Sequence, residues 1–225
     1  MPDNVEMGEF ESGGSRLAYE VYGDGDRVLV YLHGLLDHLG VDQAIIGGIS
    51  LGADVSLHVA VAAPERVRGL VIEMPVLEWA VPAAALLFTP LLLLMHYASR
   101  PAGFVTGLVR RLPRTPNGSL NSVLQLLSST PEVIKAVLHG VLTGPVAPTV
   151  EQREAITAPT LVIAHGRDII HPFSDAENLV SLLPNGRLEA ARSMLELRLA
   201  PDRLTGQIAD FVDEAWAGVM LVGTV

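Results

Sequence analysis

The sequence predicts an α/β fold: a mostly parallel sheet flanked by helices, interrupted by a helical insertion. Three observations carry that expectation. Between residues 43 and 75, apolar runs of strand length alternate with a helical stretch in the order strand, turn, helix, strand. The rhythm returns at 158, after residues 77–150 have switched to a Leu-, Ala- and Pro-rich composition with little strand signal. Hydrophobic residues make up 49% and charged residues 18% of the 225, so a substantial core is within reach and global disorder is excluded. Strands separated by helices in this way run parallel, joined by right-handed crossovers.

Taken in order, "VEMGEFES", "SRLAYEVYG" and "RVLVYLH" read as three short strands, parted by Gly13-Gly14 and by "GDGD" at 23–26. "QAIIGG" (43–48) is a further strand, and "LGADVSLHVAVAAPERV" after it reads as a helix that Pro64 brings to an end. "RGLVIEMP" (68–75) is a buried strand. Within the insertion, "PEVIKAVLHGVL" (131–142) is helical and "RLPRTPNGS" (111–119) a loop. "APTLVIAHGRD" (158–168) is an apolar strand entering a polar loop, and Ser174 with Glu177 has the spacing of a capping box at the start of the next helix. "GRLEAA" (186–191) is the last strand. A closing helix over 201–216 places Leu204, Ile208, Phe211, Val212 and Ala215 on one face. The organisation expected is therefore an N-terminal half of the core at 1–76, a helical lid at 77–150 and a C-terminal half of the core at 151–225.

Composition narrows the function. A net charge of −10 opposes attraction to phosphate backbones, so nucleic acid is not an expected partner. With no cysteine there is no disulfide, no thiolate metal site and no cysteine nucleophile. No metal or cofactor is expected. "MPDNVEMGEF" has neither a basic nor an apolar leader region, which makes the cytoplasm the expected compartment. From Trp79 to Ser99 there are 21 consecutive uncharged residues, long enough to span a bilayer. Pro82, Pro90 and His96 within it, and its place between two halves of a sheet, favour a lid or core helix pair, with membrane contact through 79–99 left open. The oligomeric state is not legible.

Two short motifs carry chemistry. Gly48-Ile49-Ser50-Leu51-Gly52 follows an apolar strand and opens a helix, the context of a strained turn that presents a nucleophilic serine. Side chains two residues before and after Ser50 would collide, and Gly at both places relieves the clash. The turn aims the N–H of Leu51 and the helix N-terminus at the point where an oxyanion would develop. Alone, this pattern also fits an ordinary Gly-rich turn with a capping Ser. Upstream, "VLVYLHG" places His33-Gly34 at the end of a strand, which makes the N–H of Leu35 a second oxyanion donor. Downstream, Asp168 sits in a loop after a late strand, giving the chain order Ser then Asp.

On "LHG", "GGISLGA", "PERVRGLVI", "APTLVIAHGRDIIHP" and the final helix, the chain resembles the α/β-hydrolase superfamily, and within it esterase-like members with a helical lid between two halves of the sheet. The resemblance implies Ser50 as nucleophile, Leu35 and Leu51 as oxyanion donors and Asp168 as the acid that orients a base. The alternative for Asp168 is a solvated turn residue. Glu73, at the end of "GLVIE", is a second candidate acid, since a carboxylate after that strand can reach the same place.

The chain departs from the family at two places. A serine hydroxyl needs an adjacent proton acceptor, and the family takes that His from the loop after the last strand. Here the loop reads "ARSMLELRLAPD", with Met194 in the base position. The seven histidines are His33, His38, His58, His96, His139, His165 and His171, of which only His171 follows Asp168, three residues on. His171 is the tentative base, with a surface His before Pro172 as the alternative reading. His96 and His139 belong to the insertion, where lone histidines are usually packing residues. The second departure is the crossover. The family places a helix, a strand and another helix between the oxyanion loop and the serine strand, whereas only eleven residues separate Leu32 from Ala44. A one- to two-turn helix just bridges neighbouring parallel strands at that length. The missing strand leaves a gap or an altered pairing with "LAYEVYG".

These readings imply a serine hydrolase acting on a small ester-like or related acyl substrate with an apolar part, as the apolar lid suits a hydrophobic ligand. Two others stay open: a catalytically impaired member that binds an apolar ligand, and a membrane-associated protein. An aspartate-nucleophile chemistry is disfavoured by Ser at position 50.

Overall fold

A computed structural model describes residues 5–12, 15–22, 29–30, 34–97, 99–109, 111, 129–166, 168, 170–193 and 195–218. His33, Met194, most of the loop expected at 111–119 and the C-terminal tail from 219 lie outside them. The chain divides into two compact units, one made of Met1–Leu77 with Ala147–Val225 and the other of Glu78–Val146.

The first unit is built on five parallel strands in the order β3-β4-β5-β6-β7: Leu29–Val30, Ala44–Ile49, Val67–Glu73, Thr160–His165 and Gly186–Ala191. Strands β1 (Val5–Ser12) and β2 (Ser15–Tyr22) pair antiparallel in a separate two-stranded sheet. Among the described residues, then, β2 does not take the place of the missing strand. Among the described residues, helix α1 (Gly34–Leu39) is the one helix between β3 and β4, which are direct neighbours. Six helical residues suffice because the strands to be joined are adjacent.

The sheet steps in one direction from β3 to β7, an order in which right-handed connections put their helices on one face. That face packs against α1, α2 (Leu51–Ala62), α6 (Val150–Glu154) and α7 (Phe173–Leu182) around Leu36, Ile46, Leu57, Ile72, Val162 and Leu179. Successive strand residues point to opposite sides, so Ile45, Val71, Leu161 and Ile163 face the other way. There they meet Leu204, Phe211 and Ala215 of the closing helix α9 (Asp202–Ala217), which follows the short α8 (Glu196–Leu199). The apolar stripe read from the sequence of the closing helix is the face that docks.

Local signals at helix ends behave differently from the expected ones. Ser174 and Glu177 make no capping box: α7 starts at Phe173 behind Pro172, without a side-chain cap, and Ser174 lies exposed inside the first turn. Pro172 sets the entry to this helix through its fixed φ and takes the N-cap position, leaving Ser174 two positions too late. Among the described residues of this unit a capping box is made by Thr149 with Gln152, at the start of α6. Two fully buried carboxylates hold the chain as it leaves β5, Asp54 accepting from the N–H of Val76 at 3.2 Å and Asp175 from that of Leu77 at 3.1 Å.

The second unit is helical, with α3 (Ala80–Tyr97), α4 (Ser99–Val109) and α5 (Pro131–Thr143) packed together. Pro90 lies inside α3, and Thr130 caps α5. Among the described residues no helix is long and apolar enough to cross a membrane.

Candidate active site

The end of β4 determines where Ser50 stands. Ser50 has φ 56° and ψ −124°, a conformation that L residues rarely adopt, and it hands the chain directly to α2. Its N–H donates to the carbonyl of Glu73 on the neighbouring strand at 2.9 Å, and its carbonyl accepts from the N–H of Ala53 at 2.8 Å. The expected steric reason for two glycines is only half right. A Cβ on Gly48 would stand 2.1 Å from the carbonyl carbon and oxygen of Gly52, an impossible overlap, whereas a Cβ on Gly52 would meet nothing within 4 Å. The close approach is between one backbone and the Gly48 α-carbon, so only that position requires glycine.

Asp168 and His171 reach this turn from a single loop. Asp168 Oδ1 accepts from the backbone N–H groups of Ile170 at 2.8 Å and His171 at 3.1 Å, an Asx-type turn that folds the loop back on itself. The fold-back brings His171 Nδ1 to 2.8 Å from Asp168 Oδ2. Since the carboxylate only accepts, Nδ1 carries the proton and Nε2 keeps its lone pair. That Nε2 lies 2.8 Å from Ser50 Oγ. The side chains of His171 and Asp168 are 13% and 4% exposed, so the chain of bonds is shielded from water. Burial by itself would raise the pKa of Asp168, but bonds from the His171 ring and from the two backbone N–H groups outweigh it and hold the carboxyl below its ordinary value.

The oxyanion candidates lie on backbone. Leu51 is the first residue of α2, where an N–H has no acceptor within the helix, and Leu35 occupies the first turn of α1. Both N–H groups belong to helix N-termini, which favour negative charge.

Glu73, the second candidate acid, does not face His171. Its Oε1 lies 2.8 Å from His165 Nε2 and 3.4 Å from Arg198 Nη1. His165 Nδ1 in turn lies 3.1 Å from the carbonyl of Ser193. The hydrogen bond that the His165 ring donates to Glu73 is the main cause of a pKa for His165 above its ordinary value, against the opposing effect of burial. Sequence reasoning gave His165 no role, although its position at the end of β6, beside the end of β5, was the available signal. Elsewhere His96 lies edge-on to Tyr97, and His139 bonds to Thr143, both in the helical unit. The loop after β7 is fastened by Glu196, which bonds to Arg203 at 2.7 Å and to the N–H of Arg192. Arg203 is the chief cause that holds the Glu196 carboxyl down at about 2. Among the described residues no group of three or more His, Asp or Glu is gathered where it could hold a metal ion.

Comparisons with known proteins agree with this architecture. Similar solved structures include a hydrolase from Pseudomonas aeruginosa PA01, at TM-score 0.60 and 23% identity over 80% of this chain and 68% of that one. An enol-lactonase from Burkholderia xenovorans LB400 matches at TM-score 0.58 and 16% identity, covering 80% of this chain and 70% of that one. A thermophilic esterase from Thermogutta terrifontis matches at TM-score 0.55 and 21% identity, covering 81% and 69%. Identities this low speak to the fold alone. The model of the family described as the alpha/beta hydrolase fold matches residues 23–192, most of the chain. A parallel sheet with a strained serine turn between strand and helix, matched by that model over most of its length, makes this chain a member of the α/β-hydrolase fold family.

Proposed function

We propose that the protein is a serine hydrolase that cleaves esters or related acyl compounds with an apolar part. The observation that carries the reading is the continuous chain Ser50 Oγ, His171 Nε2, His171 Nδ1, Asp168 Oδ2, with both links at 2.8 Å. In this reading His171 takes the proton of Ser50 as the hydroxyl oxygen attacks the acyl carbonyl. Asp168 stabilises the imidazolium, and His171 returns the proton to the leaving group. Water, activated by the same His171, then attacks the acyl-enzyme and restores Ser50. The N–H groups of Leu51 and Leu35 take the oxyanion of each tetrahedral intermediate. His171 thus does the work that the family assigns to a His after the last strand.

The preference for an apolar acyl part rests on the helical unit, a lid in this reading, which exposes Leu86, Tyr97, Phe104 and Leu108. An enol-lactonase and an esterase among the similar structures are consistent with acyl chemistry. The test is turnover of p-nitrophenyl esters of increasing acyl length by the wild type and Ser50→Ala. Hydrolysis that rises with chain length and vanishes in the variant is expected. Wild-type turnover no faster than Ser50→Ala ends the hydrolase reading.

A further inference from the structure

Next to the elbow, on the strand whose carbonyl accepts the Ser50 N–H, stands a buried pair, Glu73 and His165, that the proposed reaction does not use. Ser50 has φ 56° and Met74 has φ 51°, and these are the only non-glycine residues with positive φ among those described. The two strained positions follow residues in register, Ile49 on β4 and Glu73 on β5. Ser50 donates its N–H to the carbonyl of Glu73 at 2.9 Å, and Met74 donates its own to the carbonyl of Ile163 on β6 at 3.1 Å. Backbone strain of this kind persists only where surrounding structure over-determines it. At this place the surrounding structure includes the Glu73 side chain. It is 6% exposed and is bound at one oxygen by His165 at 2.8 Å and by Arg198 at 3.4 Å. The His165 side chain is fully buried, and its other nitrogen faces the Ser193 carbonyl at 3.1 Å.

Both ring nitrogens of His165 therefore face acceptors. A neutral imidazole has one N–H and leaves the second contact unsatisfied. Both contacts are made only when the pair holds one proton more than a neutral ring beside a carboxylate. A raised pKa for His165 fits that count. With that proton in place, His165 bonds the end of β5 through Glu73 and the loop after β7 through the Ser193 carbonyl at once.

We infer that Glu73 and His165 are positioning residues, which hold the Glu73 carbonyl where it fixes the strained N–H of Ser50 and so aim the Ser50 hydroxyl at His171. The inference rests on Ser50 being the nucleophile. A misplacement of about 1 Å costs on the order of a hundredfold in rate, so Glu73→Gln is expected to lower kcat about 10- to 100-fold with KM within about twofold. His165→Leu is expected to follow it. His165→Gln keeps an N–H donor toward Glu73 and is expected to recover most of the loss, which a mere packing role would not allow. Two readouts need no turnover. In the wild type, proton NMR should show two slowly exchanging ring N–H signals from His165, and hydrogen exchange should find the Ser50 amide protected. In Glu73→Gln, or in Arg198→Ala should the former not fold, exchange at Ser50 should quicken more than at Ile45 and Ile46 of the same strand. Wild-type kcat in His165→Leu, a single ring N–H signal, or a uniform change across β4 overturns the inference. Should the wild type cleave no ester, the hydrolase reading fails, and the exchange and ring-proton results decide the pair by themselves.

Discussion

The proposed acid and base come from one four-residue stretch, Asp168 to His171, and that economy has a physical cause. The Asx-type turn at Asp168 satisfies two backbone donors with one carboxylate oxygen and leaves the other for the His171 ring. Replacing His171 by Ala is expected to lower kcat of the ester reaction by about 10²–10⁴-fold, the range for loss of a general base. An unchanged rate in steady-state kinetics would remove His171 from the mechanism. Stability should report the carboxylate and the buried imidazole separately. The folded pKa of Asp168 is lowered below 3.8, so its contribution is complete above that value and lost as pH falls. That of His165 is raised above 6.5, so its contribution is complete below that value and lost as pH rises through the folded pKa. Denaturant midpoints from pH 3 to 9 should show a shallower acid limb for Asp168→Asn and a shallower alkaline limb for His165→Gln; limbs identical to wild type would contradict both assignments. The two glycines of the elbow also part company. Gly48→Ala forces a backbone shift and is expected to cost about 1–3 kcal/mol or more. Gly52→Ala meets open space in the first turn of a helix and should be neutral or stabilising by up to about 1 kcal/mol.

Among the elements, strands were the most legible. The runs at 5–12 and 186–191 are strands over those same residues, and 43–48 and 68–75 differ from β4 and β5 by a residue or two. Apolar runs bounded by Gly, Pro and charged residues leave little choice of conformation. Helix starts were less legible because several residues compete to cap. Ser174-x-x-Glu177 matched the pattern, yet Pro172 started the helix earlier, while Thr149-x-x-Gln152 carried the bonds. Thr149→Ala is expected to cost about 1 kcal/mol in a denaturant titration, and Ser174→Ala close to nothing. His171 was legible as a candidate by order alone. Its orientation was not, because it depends on two backbone N–H groups bonding to Asp168, which no residue pattern displays. The Glu73–His165 pair escaped for a related reason: the residues are far apart in sequence and meet only because β5 and β6 are neighbours.

At the scale of the molecule, the short crossover decides how the core is covered. Among the described residues, α1, α2 and α7 pack on one face of the five-stranded sheet, and α8 and α9 serve the other. Beside β4 on that second face is a cavity of about 260 Å³, walled by Gly48, Ile49, Val71, Leu197 and Ile208, with Glu73 and Arg198 at its polar end. Ile49 is 40% exposed there. The family's longer connection, absent from this chain, would supply another helix between the oxyanion loop and the serine strand. The shortened chain nevertheless lines up Asp168, His171 and Ser50 by hydrogen bonds, and the reactivity of that line is the most direct test of the proposed reaction. A fluorophosphonate incubated with the protein, followed by peptide mass spectrometry, reads that line without assuming a substrate. One adduct is expected, on Ser50, forming at least about a hundredfold more slowly in His171→Ala, as loss of a general base requires. A wild type that stays unlabelled, an adduct elsewhere, or equal rates in the two proteins would contradict it.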